Sequence, residues 1–128
     1  MQIEHVAIWT TDLERLKFFY ENYFGATSGD KYVNETKGFS SYFLSFAAGP
    51  RLELMQRTDV TERSDNEQLG YAHLAVVVGD ESAVDELAKR FAADGYPAID
   101  GPRHTGDGYY ECVVLDPDGN GIEICAHT

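Results

Sequence analysis

Ile3-Glu4-His5-Val6-Ala7-Ile8 returns 68 residues later as Tyr71-Ala72-His73-Leu74-Ala75-Val76. In each copy a histidine sits among alternating aliphatics, and each copy leads into a helical stretch, from Asp12 and from Asp80. Those stretches close at Gly25 and Gly95, so the offset grows from 68 to 70 inside the helix. The later strands keep the new offset: Gly49-Pro50-Arg51-Leu52-Glu53-Leu54 lies over Gly119-Asn120-Gly121-Ile122-Glu123-Ile124. A repeat of this length is one supersecondary unit used twice.

Working outward, each unit reads as strand, helix and three strands, an α+β pattern of two βαβββ modules. Residues 2–9 alternate as a strand, and Thr11-Asp12-Leu13-Glu14 is a capping-box pattern opening a helix to about Phe24. Leu13, Leu16, Tyr20 and Phe24 fall on its apolar stripe. Strands follow at Lys31–Val33, Ser41–Phe46 and Arg51–Arg57. The second module repeats this with 71–78, a helix over about 81–94 burying Val84, Leu87, Ala88 and Phe91, and strands near 97–102, 109–115 and 121–126. Asp116-Pro117-Asp118-Gly119 is a hairpin turn, because Pro presets φ and Gly accepts a positive one. Module 1 spans about 1–57 and module 2 about 70–128. Between them Thr58–Gln68 is polar and charged, a solvated linker over about 58–69. Asn34–Gly38 and His104–Gly108 read as mobile loops at the border of any pocket.

Strand periodicity decides where the repeated polar residues point. His5 shares a face with Ala7 and Trp9, against Val6 and Ile8. Glu53 shares one with Arg51, Met55 and Arg57, against Leu52 and Leu54. His73 falls with Tyr71, Ala75 and Val77, and Glu123 with Gly121 and Cys125. The aliphatic faces suit burial under the helices, so the four polar residues point away from them, where two curved sheets can enclose a cavity. Carboxylates gathered in a cavity need a cation or a proton to compensate them. His5, Glu53, His73 and Glu123 are therefore the candidate ligands of one divalent metal. Two imidazoles and two carboxylates leave open positions on Zn, Ni, Co, Mn or Fe. The set contains no thiolate, which argues against a structural zinc site. Trp9, Met55, Arg57, Tyr71 and Cys125 are the candidate pocket residues.

Composition excludes several partners. The chain has 128 residues and a formal net charge of −12, which repels nucleic acid and anionic lipid. No apolar run reaches membrane-spanning length, so no membrane partner is expected. The chain enters a strand pattern at once, which leaves no room for a signal peptide. Cys112 and Cys125 are the only cysteines, so no disulfide framework is expected and a reducing cytoplasm is the default.

The paired modules, the His5/Glu53/His73/Glu123 set and the ending Asp-Pro-Asp-Gly-Asn-Gly-Ile-Glu-Ile resemble the vicinal oxygen chelate superfamily. The four-ligand pattern is most similar to glyoxalase I (lactoylglutathione lyase), and the resemblance runs from Ile3 to Cys125. It implies an open, eight-stranded barrel-like sheet around the metal, with helices outside. It also implies a small-molecule substrate chelated through two adjacent oxygens, and a lyase or isomerase reaction through a metal-stabilised enediolate. A carboxylate beside the ion, Glu123 or Glu53, would carry the proton. Glyoxalase I carries an arginine four residues after the first histidine and an asparagine four residues after the first glutamate. Here those positions are Trp9 and Arg57, which argues against glutathione as substrate. An epimerase of an acyl thioester is the alternative within the same chemistry, and a non-catalytic binding or resistance protein the alternative outside it. Each module supplies one histidine and one glutamate, and a homodimer is expected, with the site formed within one chain or shared between two.

Overall fold

The computed structural model describes residues 1–127. The chain divides into two compact units, Met1–Asp65 and a second that begins at Asn66. In the first, β1 (His5–Trp9) leads to α1 (Leu13–Phe24), then β2 (Thr27–Ser28), β3 (Tyr32–Asn34), β4 (Phe39–Ser45) and β5 (Arg51–Arg57). In the second, β6 (His73–Gly79) leads to α2 (Glu81–Ala93), β7 (Asp100–His104), β8 (Tyr110–Leu115) and β9 (Gly121–Ala126). The second unit is thus a βαβββ module, and the first is the same module with the additional two-residue β2; each has its own mixed sheet. The first sheet runs β1-β5-β4-β2, with β3 paired to β4, and the second β6-β9-β8-β7.

Both helices start on an aspartate. Asp12 accepts the Arg15 N–H at 3.0 Å and Asp80 the Ala83 N–H at 2.9 Å, each satisfying a backbone donor that the first turn leaves unpaired. The cap of α1 is therefore Asp12 and not Thr11, the residue that a capping-box reading puts in that role. Gly25 ends α1 at φ 64, a left-handed conformation that glycine reaches at no steric cost.

Each helix buries one stripe against its own sheet. Leu13, Leu16, Phe19 and Tyr20 of α1 cover Tyr42, Leu44, Leu52 and Leu54, while Val84, Ala88 and Phe91 of α2 cover Cys112, Val114, Ile122 and Ile124; all of these are buried. The stripes differ at one residue each from the spacing expected. Phe19 replaces Phe24, which lies half-buried in the last turn of α1, and Leu87 is half-buried in α2.

β1 and β6 are edge strands, paired in parallel to β5 and β9 alone, so their aliphatics are only half-buried. The strand expected over 97–102 runs instead over Asp100–His104, with a β7–β8 register shift between Asp100 and Arg103. Gly101 sits in that interval at φ 72, where a Cβ would meet the Glu111 carbonyl oxygen at 2.5 Å. The Asn34–Gly38 and His104–Gly108 segments are hydrogen-bonded turns, closed by Gly38 N–H to Glu35 O and Gly108 N–H to Thr105 O. At the last hairpin Asp116 is buried, and its Oδ1 accepts the N–H groups of Asp118 and Asn120 at 2.9 Å each. Among the described residues no helix is long and apolar enough to cross a membrane.

Candidate functional site

The parallel pairing of each first strand with its last places histidine and glutamate side by side. In the first unit Ala7 pairs with Glu53 and His5 with Arg51, so His5 is the diagonal neighbour of Glu53 on one face. Its Nε2 lies 3.6 Å from Glu53 Oε1. In the second unit Ala75 pairs with Glu123 and His73 with Gly121, and His73 Nε2 lies 3.2 Å from Glu123 Oε1. Donors held by one ion at about 2.0–2.2 Å stand about 3 Å apart at a right angle and up to about 3.6 Å apart at a tetrahedral one, so both pairs have the spacing of adjacent ligands. Imidazole nitrogen and carboxylate oxygen suit a borderline divalent ion. The residues present therefore fit the implied metal, two ligands per unit. Among the described residues no group of three or more His, Cys, Asp or Glu side chains lies close enough together to hold an ion.

The surroundings of the two pairs differ. His5 Nδ1 donates to Glu4 Oε2 at 2.6 Å, which fixes the tautomer that leaves Nε2 its lone pair for a metal. Arg51 also pairs with Glu4, and with the His5 bond it holds the Glu4 carboxyl below the usual carboxylate range. The Arg51 guanidinium lies 4.3 Å from the Phe43 ring centroid, and Phe43 meets the His5 ring edge-on at 5.2 Å. In the second unit the places of Glu4, Arg51 and Phe43 are taken by Ala72, Gly121 and Val113. There a different carboxylate enters: β8 puts Glu111 on the ligand face, paired in register with Cys125. Burial first, then the charges of Glu123 and Asp107, push its carboxyl up. Glu4 and Glu111 escape a sequence reading because neither has a carboxylate at its repeat position; Ser41 stands where Glu111 does.

The candidate pocket residues are placed unevenly. Trp9 stays 39% exposed at the end of β1, and Met55 and Arg57 are half-buried on β5. Arg57 stacks its guanidinium 5.0 Å from the Trp9 ring centroid and pairs through Nε with Asp59. Tyr71 precedes β6 and is 97% exposed. Cys125 is buried, with its thiol 3.5 Å from the Val76 carbonyl oxygen that it donates to.

Two βαβββ modules that each pair a first-strand histidine with a last-strand glutamate define a class of tandem-module proteins. Residues 2–124 match the Glyoxalase family, described as the Glyoxalase/Bleomycin resistance protein/Dioxygenase superfamily, and the chain belongs to it. Among solved structures it is similar to the trypanothione-dependent glyoxalase I of Leishmania major. Sequence identity is 26%, the match covers 98% of this chain and 86% of that one, and the TM-score is 0.78. A glyoxalase family protein from Enterococcus faecalis matches at 24% identity, 97% and 96% coverage and a TM-score of 0.80. Glyoxalase I from Zea mays matches at 21% identity and a TM-score of 0.75, over 99% of this chain but only 45% of that one. The last two likenesses show the fold alone. Among curated proteins none is significantly similar.

Proposed function

We propose that the protein is a divalent-metal-dependent lyase or isomerase of glyoxalase type, acting on a small carbonyl substrate. The observation that carries this reading is the repeated approach of histidine Nε2 to glutamate Oε1, at 3.6 Å in one module and 3.2 Å in the other. His5, Glu53, His73 and Glu123 would hold the ion, which would be Zn, Ni, Co, Mn or Fe. When bound, such an ion supplies Lewis acidity toward two adjacent substrate oxygens. The protein's own part is to hold the imidazoles in the ligating tautomer and to move a proton between neighbouring carbons. Glu123 is the favoured proton carrier, with Glu53 the other candidate. Trp9 in place of a cation disfavours glutathione as the thiol. The acyl-thioester epimerase reading shares all these groups and is separated by substrate alone.

A four-ligand set takes one module of each kind, about 1–57 and 70–128, and we place the two in a homodimer. The reading puts the protein in the cytoplasm, where both free thiols stay reduced. The test is metal content together with turnover. Protein purified without added metal and then loaded should bind one equivalent per set. His73→Ala should lose it, and unchanged stoichiometry in that variant would sink the proposal. Loaded protein should then turn over one of a panel of glutathione hemithioacetals, other α-ketoaldehyde adducts and acyl-thioester epimers. Loading without any turnover across the panel favours the non-catalytic binding reading. For the dimer, His5→Ala chains mixed with Glu123→Ala chains should recover part of the metal binding. A monomer with full occupancy overturns the homodimer.

A further inference from the structure

On the second module a carboxylate stands beside the ligand pair with no counter-charge of its own. Glu123 pairs in register with Val113 on β8, so Glu111, two residues before Val113, is the diagonal neighbour of Glu123 on the ligand face. Diagonal neighbours stand roughly 7 Å apart, within the span of one small molecule. Glu111 is half-buried, and among the described residues no side chain or backbone group hydrogen-bonds its carboxylate. The cation opposite it in register is Arg103 of β7, but Arg103 gives Nε and Nη2 to Asp100 at 3.2 and 2.7 Å. Glu123 and Asp107 act on Glu111 as like charges. The first module has no such group, since Ser41 is its counterpart.

An ion at the ligand pair does not supply the missing charge. The four-ligand set proposed above contains two carboxylates, Glu53 and Glu123, whose charges balance those of a divalent cation. Glu111 is then a third carboxylate, still unbalanced, and an ionised group left unpaired in a half-buried place is costly. The second unit has little to offer it, because Lys89, Arg90 and Arg103 are the only lysine and arginine residues from Asn66 onward. A substrate that brings its own cation supplies both the charge and the hydrogen-bond donor. We infer that Glu111 is a specificity-determining residue that selects substrates carrying an ammonium group a few bonds from the oxygens held at the ion. A charge-assisted hydrogen bond from N–H to this carboxylate, formed partly out of water, discriminates more strongly than one at an exposed site. The inference rests on the glyoxalase-type reading for the place of those oxygens.

Hydroxamates chelate a divalent ion through two adjacent oxygens, so they hold a tail beside the ligand pair without any turnover. Cobalt-loaded protein would be titrated with the hydroxamates of 3-aminopropanoic, 4-aminobutanoic and 5-aminopentanoic acids, each against the hydroxamate in which a methyl replaces the ammonium. The cobalt absorption bands report binding. At least one ammonium member should bind at least about tenfold tighter than its methyl partner. Glu111→Gln should abolish that preference and Glu111→Asp should keep part of it, and the loss should fall on the ammonium member of the pair. No preference in the parent, a preference that survives Glu111→Gln, or an equal loss for both members overturns the inference. A parent that takes up no cobalt, or whose cobalt bands no hydroxamate changes, overturns the glyoxalase-type reading, and this inference with it.

Discussion

Glu4 and Ala72 occupy the same place in the two repeats, and that difference gives the two histidines different surroundings. The 2.6 Å bond from His5 Nδ1 to Glu4 orients the His5 ring, and Arg51 holds the Glu4 carboxylate in place. Replacing Glu4 by Gln keeps the shape and removes the charge. Affinity for cobalt or zinc, measured against a chromophoric chelator, is expected to fall by about ten- to a hundredfold, the usual effect of losing such a partner. Unchanged affinity would reduce Glu4 to a surface partner of Arg51. The approach of each histidine to its glutamate was legible, because the two recur at repeat positions and strand alternation gives their faces. Glu4 was not: alternation assigns it to the opposite side from His5. It lies just before β1 begins, where the pleat does not yet constrain it.

At the scale of elements, β7 contains the glycine with the least room for a side chain among those described. Gly101 holds φ 72, and a Cβ there would come within 2.5 Å of the Glu111 carbonyl oxygen, a backbone atom that cannot swing aside. Gly101→Ala should therefore cost about 2 kcal/mol or more, adding a clash to a backbone conformation that alanine disfavours. Urea denaturation checks it, and a midpoint within error of the parent would show that β7 shifts freely. The neighbouring glycine at 106, with open space around its Cβ position, is the control, and alanine there should be near neutral. Both helices were readable from their apolar spacing, and β5, β8 and β9 from alternation. The two-residue β2 left no periodic signal, being too short to show one. The register shift inside β7 was not legible either, because it is a matter of pairing with β8, a tertiary contact that local pattern does not encode.

At the scale of the whole molecule, the titrating groups predict a stability window. Cys112 is 1% exposed, and burial pushes its thiol up to about 11 from an ordinary value of 9. The Tyr110 hydroxyl donates to Asp85 at 2.7 Å, which pushes the phenol up to about 12 from 10. A group whose pKa is higher folded than unfolded contributes in full below the unfolded value and loses its contribution as pH rises through the folded one. Both terms are therefore intact to about pH 9, and they disappear between 9 and about 12. On the acid side the signs reverse. Glu4, Glu14, Asp59 and Asp100 are each held low by a hydrogen-bonded partner. Their contributions are present above the ordinary carboxylate range and fade as pH falls through their folded values. Metal-free protein should show a plateau in urea midpoint between roughly pH 5 and 9, falling on both sides. Cys112→Ala lowers the plateau by leaving a small cavity but removes the thiol from the alkaline limb, so its midpoint should decline less between pH 9 and 11 than the parent's. Iodoacetamide gives an independent reading, because the thiolate is the reacting form and native Cys112 should label far more slowly at pH 8 than in the unfolded chain. An alkaline limb of identical slope in Cys112→Ala, together with rapid native labelling of Cys112, would place that thiol in water and remove it from the core of the second module.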